Sequence, residues 1–239
     1  MTKPPFTVSS KAISMIAEIS ALVERFAIRF ERDALKLRRA NKIKTIYSSL
    51  AIEGNTLSET QVGDILNGKN VVAPIRELQE VKNAIAVYDN FASFNPFSLE
   101  DLLRAHAQMM SALVETAGQF RRSGVGVFDG DRAVHIAPPF ERVPELMANL
   151  FDWLKNADDH LLIRSCVFHY EFEFIHPFAD GNGRMGRLWQ SLILSKLNPV
   201  FQSLPVETLV HDNHLKYYEA INASTANNDS GAFIDFMLG

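Results

Sequence analysis

The residues best suited to chemistry lie in one run, His176-Pro177-Phe178-Ala179-Asp180-Gly181-Asn182-Gly183-Arg184-Met185-Gly186-Arg187. It joins an imidazole, which titrates near neutral pH, to a carboxylate, closely spaced glycines and two guanidinium groups. Pro177 lacks an N–H and disfavours helical backbone in the residue before it. A helix therefore ends here, with His176 expected in extended backbone at the lip of a loop. Asp180-Gly181-Asn182-Gly183 can turn several N–H groups inward, and it feeds a second helix starting near Asn182 or Gly183. A glycine-rich loop leading into a helix N-terminus is an anion site, and phosphate is the usual anion. Arg184 and Arg187 share one face of that helix's first turn. Cations there oppose the helix dipole by about 0.3–1 kcal/mol each, which points to a polyanionic ligand. The plainer alternative is a solvated surface with salt bridges to Asp or Glu.

A second misfit lies upstream. Glu53 follows Ile46 and Leu50 at helical spacing, so it falls on an apolar face, and it sits at the negative end of its helix. A partly buried carboxylate there needs a cation or strong donors. Arg184 and Arg187 are cations at the wrong end of theirs, so the two misfits would satisfy each other; the bland alternative is an exposed Glu on a helix closed by Gly54. Other motif readings fail. Gly181, Gly183 and Gly186 spell G-x-G-x-x-G, but that pattern carries meaning only after a β-strand, and the preceding Leu161–Phe174 stretch reads as helix. No Gly-Lys-Ser/Thr closes a P-loop. His211 and His214 lack a third clear metal ligand, and capping by Asp212 or Asn213 explains them better.

The complete run His-Pro-Phe-x-Asp-Gly-Asn-Gly-Arg-x-x-Arg resembles the signature of the Fic (Fido) family of protein AMP-transferases. The resemblance implies an all-α Fic (Fido) helical fold with a small β-hairpin flap. It also implies transfer of AMP from ATP to a Ser, Thr or Tyr hydroxyl of a target protein, and of the enzyme itself, with Mg²⁺ as cofactor. By resemblance His176 is the catalytic base and Asp180 holds the metal. Nucleotide binding would fall to Gly181, Asn182, Gly183, Arg184, Met185, Gly186 and Arg187, with Arg184 on the β-phosphate and Arg187 on the γ-phosphate. Tyr217 and Tyr218 resemble tyrosines near the adenine site. Val134, His135 and Ile136 would line the flap and hold the target by strand addition. Ser49-Leu-Ala-Ile-Glu53-Gly54 resembles the inhibitory motif of the class with an N-terminal inhibitory helix; there Glu53 would pair with Arg187 and block the γ-phosphate. Three alternatives stay open: removal of AMP with Glu53 orienting a water, another nucleotide donor, and a nucleotide-sensing interaction module that catalyses nothing.

The elements that must position these residues follow from periodicity. Ser9 to about Ala40 reads as one helix with a stripe of Ile13, Ile16, Ile19, Val23, Phe26 and Phe30, and a further helical run holds Ile43, Ile46, Tyr47 and Leu50. Ser58 caps a short helix, Ile75 to Phe94 is amphipathic, and Ser98 caps a helix from Leu99 in which His106 reads as a core-edge histidine. Val125–Phe128 and Ala133–Ile136 make a hairpin around Asp129-Gly130-Asp131, followed by a helix over Val143–Lys155. A soft boundary separates an N-terminal helical region, 1–95, carrying the inhibitory helix (Ser49 to Gly54), from a Fic core, 96–239.

Composition sets outer limits. The 239 residues are 47% hydrophobic and 22% charged, as in globular chains. A net charge of −4 lacks the basic footprint of a nucleic-acid binder. The N-terminus holds no signal-like apolar stretch and no run is long enough to span a membrane. The single cysteine, Cys166, suits a packed thiol in a reducing compartment. A cytoplasmic protein with no membrane or nucleic-acid partner is expected, and the resemblance allows a homodimer.

Overall fold

Ser9 begins the longest element. Its hydroxyl accepts the Ala12 N–H (2.9 Å), capping α1 (Ser10–Ile52), a single helix of 43 residues. The computed structural model describes residues 3–129 and 132–239, and their side chains outside 27–36 and 126–136. The two helical runs expected here are one, because Ala40-Asn41-Lys42 contains no Gly or Pro to interrupt the backbone ladder. Ala12, Val23, Ile46 and Leu50 turn into the core, whereas Ile13, placed in the stripe by spacing, is exposed.

Beyond Gly54, α2 (Glu59–Leu66) opens on a capping box between Ser58 and Gln61. The helix expected to reach Phe94 stops earlier: α3 (Ile75–Asp89) ends at Asn90, and a 3₁₀ turn over Phe91–Ser93 follows. Ser98 caps α4 (Leu99–Met109). Strands β1 (Gly126–Asp129) and β2 (Arg132–Ile136) pair antiparallel, Gly126 opposite Ile136, with an irregularity after Val127. Gly130 and Asp131 lie outside the described residues, as do the side chains of Val134, His135 and Ile136.

The remaining helices are α5 (Val143–Asn156), α6 (Leu161–Ile175), α7 (Asn182–Leu194), α8 (Val206–Asp212), α9 (His214–Asn227) and α10 (Gly231–Leu238). Helix α6 is apolar on every side, burying Leu162, Cys166, Phe168 and Phe172, and so forms the centre of the molecule. It packs along α7, with α5 and α10 against it. Burial pushes the Cys166 thiol up to about 12, as an inert packed group. Helix α1 lies across this core against α3, α7, α8 and α10. Its beginning is tied to α10 and the turn before it, by Ser9 Oγ to Asp235 (2.6 Å) and Thr7 to Asp229 (2.7 Å).

Candidate active site

The chain leaves α6 at His176, whose N–H still bonds the Phe172 carbonyl (2.9 Å). Its backbone is left-handed (φ 50°, ψ 62°), not extended as the following proline predicts. The cause is a residue that sequence reasoning passed over. Arg121, 2% exposed, donates Nε to the His176 carbonyl (2.8 Å), Nη1 to that of Ser123 (2.9 Å) and Nη2 to those of Pro138 (2.5 Å) and Ile175 (3.3 Å). Its own N–H bonds the Pro177 carbonyl (2.9 Å). One guanidinium thus satisfies the last carbonyls of α6 and ties them to both roots of the hairpin, a cation at the negative end of a helix. The only sequence signal was its place after the Gly118-Gln119-Phe120 turn.

The loop itself is held from three sides. Asn182 accepts the Phe178 N–H and donates to the Phe178 carbonyl, both at 2.9 Å. His106 stacks flat on Phe178, with centroids 3.6 Å apart. Its Nδ1 accepts the Gly118 N–H (2.8 Å), so Nε2 carries the proton and donates to the Asp180 carbonyl (3.0 Å). Burial depresses its pKa to about 4, keeping the ring neutral. His106 is a core histidine, as expected, and also a strut of the loop.

Helix α7 brings Arg187 to the end of α1 and Arg184 to Asp180 and Glu80 of α3, each arginine 3% exposed. Arg187 donates Nη2 to Glu53 Oε1 (2.7 Å) and to the Ser49 carbonyl (3.0 Å), and Nε to the Ser49 hydroxyl (3.3 Å). Burial opposes the charge of Arg187, but Glu53, with Tyr217 and Glu173, more than restores it. Glu53 stands where Gly54 (φ 87°) turns the chain away, and its Oε1 would lie 2.5 Å from a Cβ on Gly183. Only glycine leaves that space, and a carboxylate already fills it. Arg184 bridges Asp180 Oδ1 (3.1 Å) and Glu80 Oε1 (3.7 Å).

Asp180 is 37% exposed at the mouth, its Oδ2 facing Arg76 (3.2 Å). Among the described residues no group of three or more His, Cys, Asp or Glu could enclose a metal. One carboxylate beside a phosphate cradle nevertheless suits Mg²⁺, which takes one or two carboxylates together with phosphate oxygens and water. Not every expected residue faces the cradle. Met185 is fully buried and its N–H is spent on the Gly181 carbonyl (3.0 Å), so it packs the core. Tyr217 is also buried, its hydroxyl on His169 Nε2 (3.1 Å), while Tyr218 beside it is 46% exposed. Sequence reasoning missed Glu173, whose Oε1 is buried without a hydrogen-bond partner, 3.9 Å from His169 Nε2, and would lie 2.7 Å from a Cβ on Gly186. Burial lifts its pKa to about 7, Arg187 drawing it down and Glu53 pushing it up.

Comparison with known proteins agrees with this geometry. A crystal structure of a Fic family protein from Desulfovibrio desulfuricans superposes with a TM-score of 0.96 at 47% identity, over all of this chain and 74% of that one. The chain belongs to the Fic family. The model of the Fic/DOC family matches residues 96–194, from the α4 approach to the end of α7. Fic-1 of Caenorhabditis elegans (residues 134–508) superposes with a TM-score of 0.69 at 25% identity, covering 96% of this Fic chain and 74% of that structure. Among curated relatives, protein adenylyltransferase Fic of Culex quinquefasciatus is 31% identical over 95% of this chain and 49% of its own length. Protein adenylyltransferase fic-1 of Caenorhabditis briggsae is 30% identical over 88% and 42%. The chain thus spans about half the length of the curated relatives it matches. Among its described residues, no helix is long and apolar enough to cross a membrane.

Proposed function

We propose that this Fic protein is an autoinhibited protein adenylyltransferase, moving AMP from ATP to a Ser, Thr or Tyr hydroxyl of a target protein. The observation that carries the reading is Glu53: a carboxylate of the chain itself occupies an anion cradle built by Gly183 and Arg187. In the transfer, the target oxygen bonds the α-phosphorus as the bond from that phosphorus to the bridging oxygen of the β-phosphate breaks. The proton passes to His176 as general base, and the electron pair leaves with pyrophosphate. The start of α7 and Arg184 orient the α- and β-phosphates, and Arg187 takes the γ-phosphate once Glu53 withdraws. Mg²⁺ held at Asp180 would neutralise charge on the phosphates. The hairpin, rooted on Arg121, would dock an extended target segment by backbone pairing. In this reading residues 1–95 regulate and 96–239 catalyse. A single buried cysteine fits a reducing, ATP-rich compartment, the cytoplasm.

The test is incorporation of label from α-labelled ATP with Mg²⁺ by wild type, Glu53→Gly and Glu53→Gly/His176→Ala. Expected are weak labelling by wild type, at least tenfold more by Glu53→Gly, and none by the double variant. A Glu53→Gly protein that binds ATP yet labels neither itself nor any protein of its source cell would overturn the transferase reading.

A further inference from the structure

The two oxygens of Asp180 are held differently. Oδ1 accepts the Gly181 N–H (2.6 Å) and Arg184 Nη2 (3.1 Å), and Arg184 is 3% exposed, so this oxygen is tied into the loop and α7. Among the described residues, the one hydrogen bond that Oδ2 accepts comes from Arg76 Nη2 (3.2 Å). Oδ2 is therefore the oxygen left for a metal at Asp180, and a guanidinium sits on it. Arg76 is the second residue of α3, at the positive end of a helix that has no side-chain cap, where a cation opposes the dipole. Arg184 and Arg187 show the same misfit at the start of α7.

Two carboxylates hold Arg76 in place. Its Nε lies 3.5 Å from Glu80 Oε1, which also faces Arg184 Nη1 at 3.7 Å, so both arginines share both acids. Glu80 is fixed in turn, its Oε2 accepting Asn55 Nδ2 (2.9 Å). The Arg76 side chain is 58% exposed, so of the two arginines on Asp180 it is the one that can swing into solvent while Glu80 keeps it near. The closed site thus has a side chain of residues 1–95 on each of its charged groups: a carboxylate on Arg187 and a guanidinium on Asp180. We propose that Arg76 is a second inhibitory residue, its guanidinium standing in for the divalent cation on Asp180 Oδ2 as the Glu53 carboxylate stands in for the γ-phosphate on Arg187. The inference rests on the reading of Asp180 as the metal carboxylate. Mg²⁺ then binds only the molecules in which Arg76 has let go, and its apparent affinity falls by that fraction.

Calorimetric titration with α,β-methylene-ATP, in which a methylene replaces the bridging oxygen that leaves in the transfer, measures affinity without turnover. The full chain carrying Glu53→Gly is titrated with this analogue in Mg²⁺ and in EDTA, alone and with Arg76→Ala, Arg76→Gln or Asp180→Asn added. The quantity read is the ratio of the two affinities, because a general change in the fold enters both arms. Arg76→Ala and Arg76→Gln should each raise the ratio about two- to fivefold, the scale of an exposed ion pair. Asp180→Asn should lower it, and Arg76→Ala added to Asp180→Asn should leave it there. A ratio that falls with Asp180→Asn but is unmoved or lowered by both Arg76 variants overturns this inference alone. A ratio indifferent to Asp180→Asn overturns the metal assignment and the inference with it.

Discussion

Replacing Arg121 with lysine would separate holding the fold from aiming the histidine. Arg121 makes four side-chain hydrogen bonds to carbonyls at 2.5–3.3 Å while 2% exposed. Lysine keeps the charge but lacks the planar fork, so it can serve one or two of those carbonyls. A hydrogen bond from a charged group contributes about 1.5–3 kcal/mol; losing two, with partial relaxation, costs about 3 kcal/mol. In a chain of 239 residues that lowers Tm by roughly 6–12 °C. The left-handed backbone of His176, unfavourable by about 1–2 kcal/mol for a non-glycine residue, would then relax toward the extended form that Pro177 favours. A catalytic group displaced by an ångström loses about 100-fold in rate. Made in the Glu53→Gly background, Arg121→Lys should therefore lower kcat for transfer by tens-fold to 100-fold while ATP affinity stays within about twofold, because Arg121 touches no part of the cradle. Scanning calorimetry, ATP titration and label incorporation measure the three quantities. Unchanged Tm and kcat, or ATP affinity falling in step with kcat, would refute the reasoning.

Three further outcomes follow from the same geometry. Gly183→Ala places a methyl 2.5 Å from Glu53 Oε1 and 2.9 Å from Arg187 Nη1. It should break that ion pair yet, unlike Glu53→Gly, release no transfer, because the methyl also fills the phosphate cradle; ATP titration of both variants checks this. Glu173 titrates near 7 when folded against 4.5 for the free group. Its contribution to stability is full below pH 4.5 and is lost as pH rises through 7, so Glu173→Gln should gain up to about 3 kcal/mol over wild type at pH 8 and nothing at pH 4.5, by denaturant unfolding at both values. His106, held near 4 against 6.5 unfolded, works the other way: stability it contributes above pH 6.5 is lost as pH falls toward 4. His106→Phe keeps the stacking on Phe178 and should lose about 2 kcal/mol at pH 7 with a smaller deficit at pH 4.5.

The chemistry of the site was legible where residue types conflicted with their positions. A glutamate at the negative end of one helix and two arginines at the positive end of another predicted a pairing, and Glu53 and Arg187 meet at 2.7 Å. Capping residues were legible for the same local reason: Ser58 and Ser98 each bond the N–H groups they were expected to satisfy. What escaped was long-range. Arg121 acts on carbonyls 54 and 55 positions away, and main-chain acceptors leave no mark in a side-chain pattern. The left-handed turn at His176 went against its proline for that reason. Glu80 sat in an amphipathic helix and Glu173 in a largely apolar one, each as an ordinary charge, and only packing brought them to the arginines. The continuity of α1 went unread because the two apolar stripes were taken as separate runs, although no Gly or Pro lies between them.

That continuity has a mechanical meaning. At 1.5 Å per residue, the 43 residues of α1 form a rod of about 65 Å. Near one end Thr7 and Ser9 fasten it to Asp229 and Asp235, and at the other Arg187 grips Ser49 and Glu53. A beam clasped at both ends neither slides nor swings freely, and bending it loads every turn at once. Yielding concentrates in the final turn, where the ladder already gives way to the Glu53–Gly54 bend. Unwinding those last residues would free Glu53 and leave the rest of the beam in place, so the stiffness of the whole helix confines its give to the turn that carries Glu53.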